Sequence, residues 1–176
     1  MIREAIEVEP MLQKADSIYC ECDLALLRRV LALRFGSGVA ADIMAVWSSH
    51  FAEFLLQDGW RVPDRHEEYQ DLLSLILAEV AVPASQLERQ VIAQWLAFSC
   101  MGQNHLWEDL GLPERPALSR LIADTFPVLF ARNSGNMRWK KFFYKQLCEQ
   151  AEVFVCRSPT CQSCSEYREC FMPETV

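Results

Sequence analysis

Four cysteines crowd the C-terminal end of this chain as Cys156-x4-Cys161-x2-Cys164-x5-Cys170, within a polar stretch that has no apolar periodicity to account for them. Thiols at such spacing can converge on one object. A Cys-x2-Cys step brings neighbouring thiolates onto one metal or onto two corners of a cluster, and the longer steps let the chain wrap around what is held. Pro159 stiffens the first loop by fixing its own φ and biasing Ser158 toward an extended shape. Arg157 and Arg168 add positive charge inside the motif. Two metal objects fit. The x4 then x2 order repeats the first three ligands of a plant-type ferredoxin run, which favours an iron-sulfur centre. Structural zinc is the second choice, because all-Cys zinc sites more commonly use two Cys-x2-Cys pairs and only one is present. A disulfide framework is the weakest of the three.

That ranking follows from composition. A chain of 176 residues with 51% hydrophobic content can bury a core of its own, so its eight cysteines are not needed as staples. The start, Met1-Ile-Arg-Glu-Ala-Ile-Glu-Val-Glu9, lacks the basic and apolar run of a signal peptide, and no stretch is apolar for long enough to span a bilayer. The expectation is a cytoplasmic protein with reduced thiols and no membrane contact. A net charge of -7 argues against nucleic acid as a partner. Between Thr125 and Cys148, however, stand five cations (Arg132, Arg138, Lys140, Lys141, Lys145) and no Asp or Glu, which points at something negative near the C-terminal third.

The elements that must position the cysteines read as helices throughout. The first begins near Asp16 or Ser17 and carries Leu24, Leu27, Leu31 and Phe35 to the stop at Gly36-Ser-Gly38. The second runs from about Ala40 to Gln57 with Ile43, Trp47, Phe51, Phe54 and Leu55 on one stripe. After Pro63 an acidic cap at Asp64 leads into Tyr69, Leu72, Leu73, Ile76 and Leu77. Ser85-Gln-Leu-Glu88 is a capping box, opening a helix with Leu87, Val91, Trp95 and Phe98 along one face and Gly102 as its C-terminal cap. One or two turns end at Gly111, and Pro116 starts a helix through Leu118, Leu121 and Ile122, followed by Phe126-Pro127-Val-Leu-Phe130. Asn136 caps a last long helix over Met137 to Cys148, with Trp139, Phe142, Phe143 and Leu147 buried and Arg138, Lys141 and Lys145 on another side. No repeat or linker divides the chain. The fold class is therefore all-α, one domain over residues 1–176: a helical bundle over 1–150 and a cysteine-rich metal-binding loop over 151–176, docked on the last long helix.

Three blocks together carry a resemblance: His105-Leu-Trp-Glu-Asp-Leu-Gly-Leu112, Asn136-Met-Arg-Trp-Lys-Lys-Phe-Phe-Tyr-Lys-Gln-Leu-Cys148, and the four-Cys run closing with Cys170-Phe171 and Pro173-Glu174. In this order they resemble the NifQ family of nitrogen-fixation proteins over roughly residues 66–174. The resemblance implies an iron-sulfur protein that incorporates molybdenum and passes it to the proteins assembling the nitrogenase iron-molybdenum cofactor. It makes Cys156, Cys161, Cys164 and Cys170 the cluster ligands, with a [MoFe3S4] cluster, or a [4Fe-4S] or [3Fe-4S] precursor, as cofactor. Molybdate is a dianion, so Arg138, Lys141 and Lys145 are candidates to attract it or to offset cluster charge. If four thiols fill the corners of such a cluster, release of molybdenum is helped by a labile ligand; His105 is the first candidate and Cys148 the second.

Other residues have plainer readings. Cys100 suits a buried apolar position. Cys20 and Cys22 form an isolated pair, and His50 among Trp47, Phe51 and Phe54 reads as packing. Glu108 and Asp109 are adjacent on a helix and so point apart. No nucleophile with a base, phosphate loop or hydride-cofactor signature is present. The chain reads as a metal carrier more than a conventional enzyme. A small [4Fe-4S] electron-transfer protein and a zinc-based interaction module are the competing readings.

Overall fold

The computed structural model describes residues 24–56, 63–78, 85–152 and 167–171, and among them every regular element is a helix. The expected helix start near Asp16, and the cysteines at 20, 22, 156, 161 and 164, lie outside the described residues. In chain order the helices are α1 (Leu24–Phe35), α2 (Ser37–Leu56), α3 (Pro63–Leu77), α4 (Gln86–Cys100), α5 (Leu106–Asp109), α6 (Arg115–Thr125), α7 (Pro127–Arg132), α8 (Trp139–Gln150) and α9 (Tyr167–Phe171). They pack as sequential pairs, α1 on α2, α3 on α4 and α6 on α7, and α8 closes the bundle against α3.

The bundle is built around α4. The Ser85 hydroxyl accepts the Glu88 N–H at 3.1 Å, as the capping box predicts, and from Val91 to Cys100 every residue is buried. The single stripe expected for this helix is thus corrected in two ways. Leu87 is 68% exposed, and the face opposite Val91 and Trp95 is buried as well. Ala93, Ala97, Ser99 and Cys100 are small enough for neighbouring helices to approach that second face, and no charge follows Arg89, so α4 is enclosed on all sides. Trp47 of α2 packs edge-on against Phe98 at 5.9 Å between ring centroids and donates its indole N–H to Ser99 Oγ at 3.1 Å. Leu27 and Leu31 of α1 and Leu72, Leu75 and Ile76 of α3 complete the same core.

The short helix α5 ends in a Schellman motif. The Gly111 N–H reaches Glu108 O and the Leu112 N–H reaches Trp107 O, both at 2.8 Å, with Gly111 at φ +73°. A Cβ at Gly111 would lie 2.6 Å from the Ile43 carbonyl, so glycine also seats this turn directly on α2. Pro127 opens α7 after a break at Phe126, whose φ of -134° and ψ of 64° lie outside the α region that proline disfavours for the residue before it. Several boundaries differ from the sequence reading: α2 starts at Ser37 rather than near Ala40, so Gly38 lies within it, and α6 starts at Arg115, one residue before Pro116. Asp64 lies inside α3, behind Pro63 at its first position, and α8 begins at Trp139 rather than Met137.

The two leucines of α4 separate the stripe reading from the observed enclosure. Leu96→Ala, at a fully buried site, is expected to destabilise by about 2–5 kcal/mol, and Leu87→Ala to stay within about 0.5 kcal/mol of the parent. Urea unfolding followed by circular dichroism measures both.

Candidate metal centre

The turn before α8 is fixed from two directions. Buried Asn133 accepts the Met137 N–H at 2.8 Å through Oδ1 and donates to the Met137 carbonyl at 2.9 Å through Nδ2. Arg115, from the start of α6, donates to the Asn136 carbonyl at 3.1 Å and to its side-chain oxygen at 3.0 Å. Asn136 adopts φ +53°, a left-handed conformation that asparagine tolerates, so it forms the turn instead of capping α8. Met137 is drawn into the core, which leaves Arg138 at the cap position.

The C-terminal segment lies on this turn. The Arg138 N–H donates to the Cys170 carbonyl at 2.9 Å, and the Phe171 ring covers Gly135 so closely that a Cβ there would sit 3.1 Å from it. Phe171 also packs against the main core. The last cysteine of the motif is therefore held by main chain and by its neighbour's ring, and it is half-buried and not in a disulfide. The docking is to the leading turn of the last long helix.

A second polar group sits at the same turn. Asp109 is 4% exposed, and its carboxylate is bound by the Lys140 ammonium, by Asn104 Nδ2 at 2.9 Å and by the Asn104 N–H at 3.2 Å. Lys140 also donates to the Gly102 carbonyl at 3.0 Å. A Cβ at Gly102 would fall 2.4 Å from Asp109 Oδ2, so the chain reverses here only because residue 102 has none. Gly102 follows Met101, which takes the C-terminal cap position expected of it. His50 is not only packing: its Nδ1 lies 3.8 Å from Asp109 Oδ1, beyond hydrogen-bond reach but close enough to feel the charge. Glu108 turns the other way, accepting the His105 N–H at 2.9 Å, so the two acidic residues do point apart. His105 is half-buried at the cap of α5.

The sequence reading missed the pairing of Asp109 with Lys140. A signal was present, since Leu106, Asp109 and Leu110 share one helical face and that face had to be buried. The same pairing reduces the positive charge that residues 125–148 leave for an outside partner. Lys140 is neutralised by Asp109, Lys145 pairs with Glu149 at 3.2 Å just beyond the window, and Arg132 is bound to Gln146. Lys141 remains exposed.

The described thiols differ in character. Cys100 is buried, and that burial pushes its pKa up to about 12; Lys140 lowers it, and Asp109 and Glu68 raise it further. A thiol held neutral in this way is a poor metal ligand. Cys148 is half-buried on α8. Among the described residues no three His, Cys, Asp or Glu side chains are grouped to hold a metal ion. Cys170 is the only described member of the four-thiol set, and a half-buried cysteine on an anchored backbone is of the residue type that ligates clusters.

An all-helical scaffold that fixes a cysteine-bearing C-terminal segment on a rigid turn is the class of protein this arrangement defines. The chain belongs to the NifQ family, whose model matches residues 27–172. A protein named NifQ from Azotobacter vinelandii is 46% identical over 110 residues, covering 62% of this chain and 55% of that protein. One from Rhodobacter capsulatus is 47% identical over 114 residues, covering 64% and 61%. One from Klebsiella pneumoniae is 44% identical over 109 residues, covering 61% and 62%. The matched stretch thus spans between 55% and 62% of these three relatives. No solved structure matches the chain.

The state of Cys100 has a pH signature. Below pH 9 its thiol is protonated in both native and unfolded chains; between pH 9 and about 12 only the unfolded chain loses the proton, so stability falls as pH rises. Cys100→Ala is expected to remove about 1.4 kcal/mol per pH unit from that alkaline slope, measured by denaturant unfolding between pH 8.5 and 10.5 (roughly the lower half of the window).

Proposed function

We propose that this chain holds an iron-sulfur centre on Cys156, Cys161, Cys164 and Cys170, takes up molybdenum as cargo, and passes it to the proteins that assemble the nitrogenase iron-molybdenum cofactor. Membership of the NifQ family is the observation that carries the reading, since the matched region runs through Cys170. The donor chemistry agrees. Thiolates are soft, anionic ligands suited to iron-sulfur clusters, and the chain works in the cytoplasm, where they stay reduced. No helix among the described residues is long and apolar enough to cross a membrane.

Each residue has a part in this reading. Cys170 offers a thiol from a fixed backbone position, so the search for one ligand is already restricted. The cluster, once bound, supplies a reduced, sulfur-rich environment for molybdenum. Arg138 stands where its main chain meets Cys170, and exposed Lys141 and partly exposed Lys145 supply positive charge for molybdate or for the anionic centre. His105 and, second to it, Cys148 are the candidates for a releasable molybdenum ligand. An imidazole or a single extra thiol gives up a metal more readily than a complete set of bridging thiolates.

Elemental analysis of anaerobically purified protein from molybdate-grown cells tests the reading, with electron paramagnetic resonance on the same sample. Iron and molybdenum are expected together at roughly three to one; zinc alone, with no iron uptake on reconstitution, defeats the proposal. Cys170→Ser is expected to lose colour and most of the iron. Lys141→Glu combined with Lys145→Glu is expected to lower molybdenum loading with iron retained, and unchanged loading would remove the charge from the argument.

A further inference from the structure

Four cations of the described helices stand against carboxylates: Arg34 against Glu88 at 2.6 Å, Arg120 against Glu114 at 3.3 Å, Lys140 against Asp109 and Lys145 against Glu149 at 3.2 Å. The turn over residues 136–138 is different. Two guanidinium-bearing residues, Arg115 and Arg138, meet there, and neither has a carboxylate partner among the described residues.

The Arg115 Nη2 donates to the Asn136 carbonyl at 3.1 Å and to its side-chain oxygen at 3.0 Å, and it lies 3.4 Å from the Met137 carbonyl oxygen. The carbon of that last carbonyl is bonded to the Arg138 nitrogen, so the first guanidinium sits at the root of the second residue. The main chain of Arg138 is engaged, with its N–H on the Cys170 carbonyl at 2.9 Å. Its side chain makes no hydrogen bond or ion pair with a described residue. Its Nε is closed off from water with no acceptor, and so is the Nε of Arg115. Arg138 is half-buried, and its terminal nitrogens are the ones that solvent reaches.

The start of α8 adds to the imbalance. Arg138 occupies the cap position, no side chain accepts from the first turn, and no acidic residue stands in that turn. Lys140 is neutralised by Asp109, and exposed Lys141 is not. A helix N-terminus carries positive partial charge and N–H groups in need of acceptors, so cations there are disfavoured until an anion arrives. A guanidinium partly withdrawn from water also needs a counter-charge with acceptor oxygens. A compact dianion with several oxygens meets these needs, and guanidinium groups match such oxygens by forked hydrogen bonds.

We propose that this turn is a seat for a tetrahedral oxoanion. Arg138 binds the anion through its terminal nitrogens, Arg115 holds the turn and supplies a second charge, and Lys141 and the positive end of α8 add to the field. The seat is made wholly of residues 115 and 136–141 and needs no cluster. Its use for molybdate rests on the reading above, in which the cargo arrives as an oxoanion. Arg115 is thereby added to that reading, and Arg138 is given direct contact with the anion.

The probe is sulfate, a tetrahedral dianion that supplies no metal. It is titrated calorimetrically into the full chain, purified anaerobically and held in a chloride buffer of low ionic strength, with circular dichroism as the check on folding. One sulfate per chain is expected, bound about 10- to 100-fold more weakly by Arg138→Gln, the usual effect of losing charge-assisted hydrogen bonds. Arg138→Lys keeps the charge without the fork and is expected to fall between the two. Arg115→Lys is expected to weaken binding as well, and it decides the question if Arg138→Gln does not fold. Arg29→Gln, at an exposed position of α1, removes the same net charge and is expected to bind as the parent does. A parent that binds no sulfate, parent-strength binding in folded Arg138→Gln or Arg115→Lys, or an equal loss in Arg29→Gln overturns the seat. Molybdenum loading of the parent is expected to fall as sulfate is added in excess; loading indifferent to bound sulfate overturns the link to molybdate and leaves the oxoanion seat. A parent that binds sulfate through Arg138 yet never takes up molybdenum defeats the cargo reading and not the seat.

Discussion

A carboxylate taken out of water has to find compensation inside the protein, and the compensation that Asp109 finds decides how the C-terminal half is put together. Its partners come from both sides: Asn104 from its own loop and Lys140 from α8. Removing either charge alone would strand the other, at a cost of about 3–5 kcal/mol. Replacing both with apolar side chains would be far less harmful, which makes the pair a device for fixing an arrangement more than a source of stability. Gly102 is part of the same constraint. The carboxylate fills the space where any larger residue would put its Cβ, and the carbonyl of this residue takes a second bond from the lysine.

Around that pair the architecture follows from burial. The central helix α4 brings no charge beyond Arg89 and is covered by α2, α3 and their neighbours, with Trp47 joining packing to a hydrogen bond on Ser99. On the far side, Trp139 lies 5.7 to 6.1 Å from Phe130, Phe142 and Phe143 by ring centroid, and its indole N–H reaches Ser119 Oγ at 3.1 Å. Tyr144 of α8 donates to Glu68 of α3, which explains how a helix rich in lysine is nonetheless held tightly on the bundle. Its apolar edge and the part-buried polar contacts of Trp139, Lys140 and Tyr144 face inward, and Lys141 faces solvent.

Most of the fold was legible in the sequence because it depends on short-range rules. Ser85 and Glu88 announce a helix start, Gly111 a stop, and Pro127 a restart, and each does so in the structure. The stripes on α1, α3 and α8 were readable for the same reason. What was not legible depends on distant partners. Leu87 fits its stripe by spacing and is exposed because no helix comes to cover it. Asn136 has a good capping side chain, but Asn133 and Arg115 hold it in a turn. The cations between Thr125 and Cys148 look like one surface until Asp109 and Glu149 are placed beside two of them. The cysteine spacing was conspicuous from the outset, yet spacing says nothing of the bond that ties Cys170 to Arg138.

That tie changes the thermodynamics of filling the motif. The stretch carrying Cys156, Cys161 and Cys164 runs between α8 and α9, and α9 is already attached to the bundle through the Cys170 carbonyl and the Phe171 ring. Any group bound across that stretch would meet a chain tethered at both ends, so the entropy of closing the loop has already been lost on folding. The effective concentration of the three remaining thiols about Cys170 is correspondingly raised, into the range of about millimolar for a short tether.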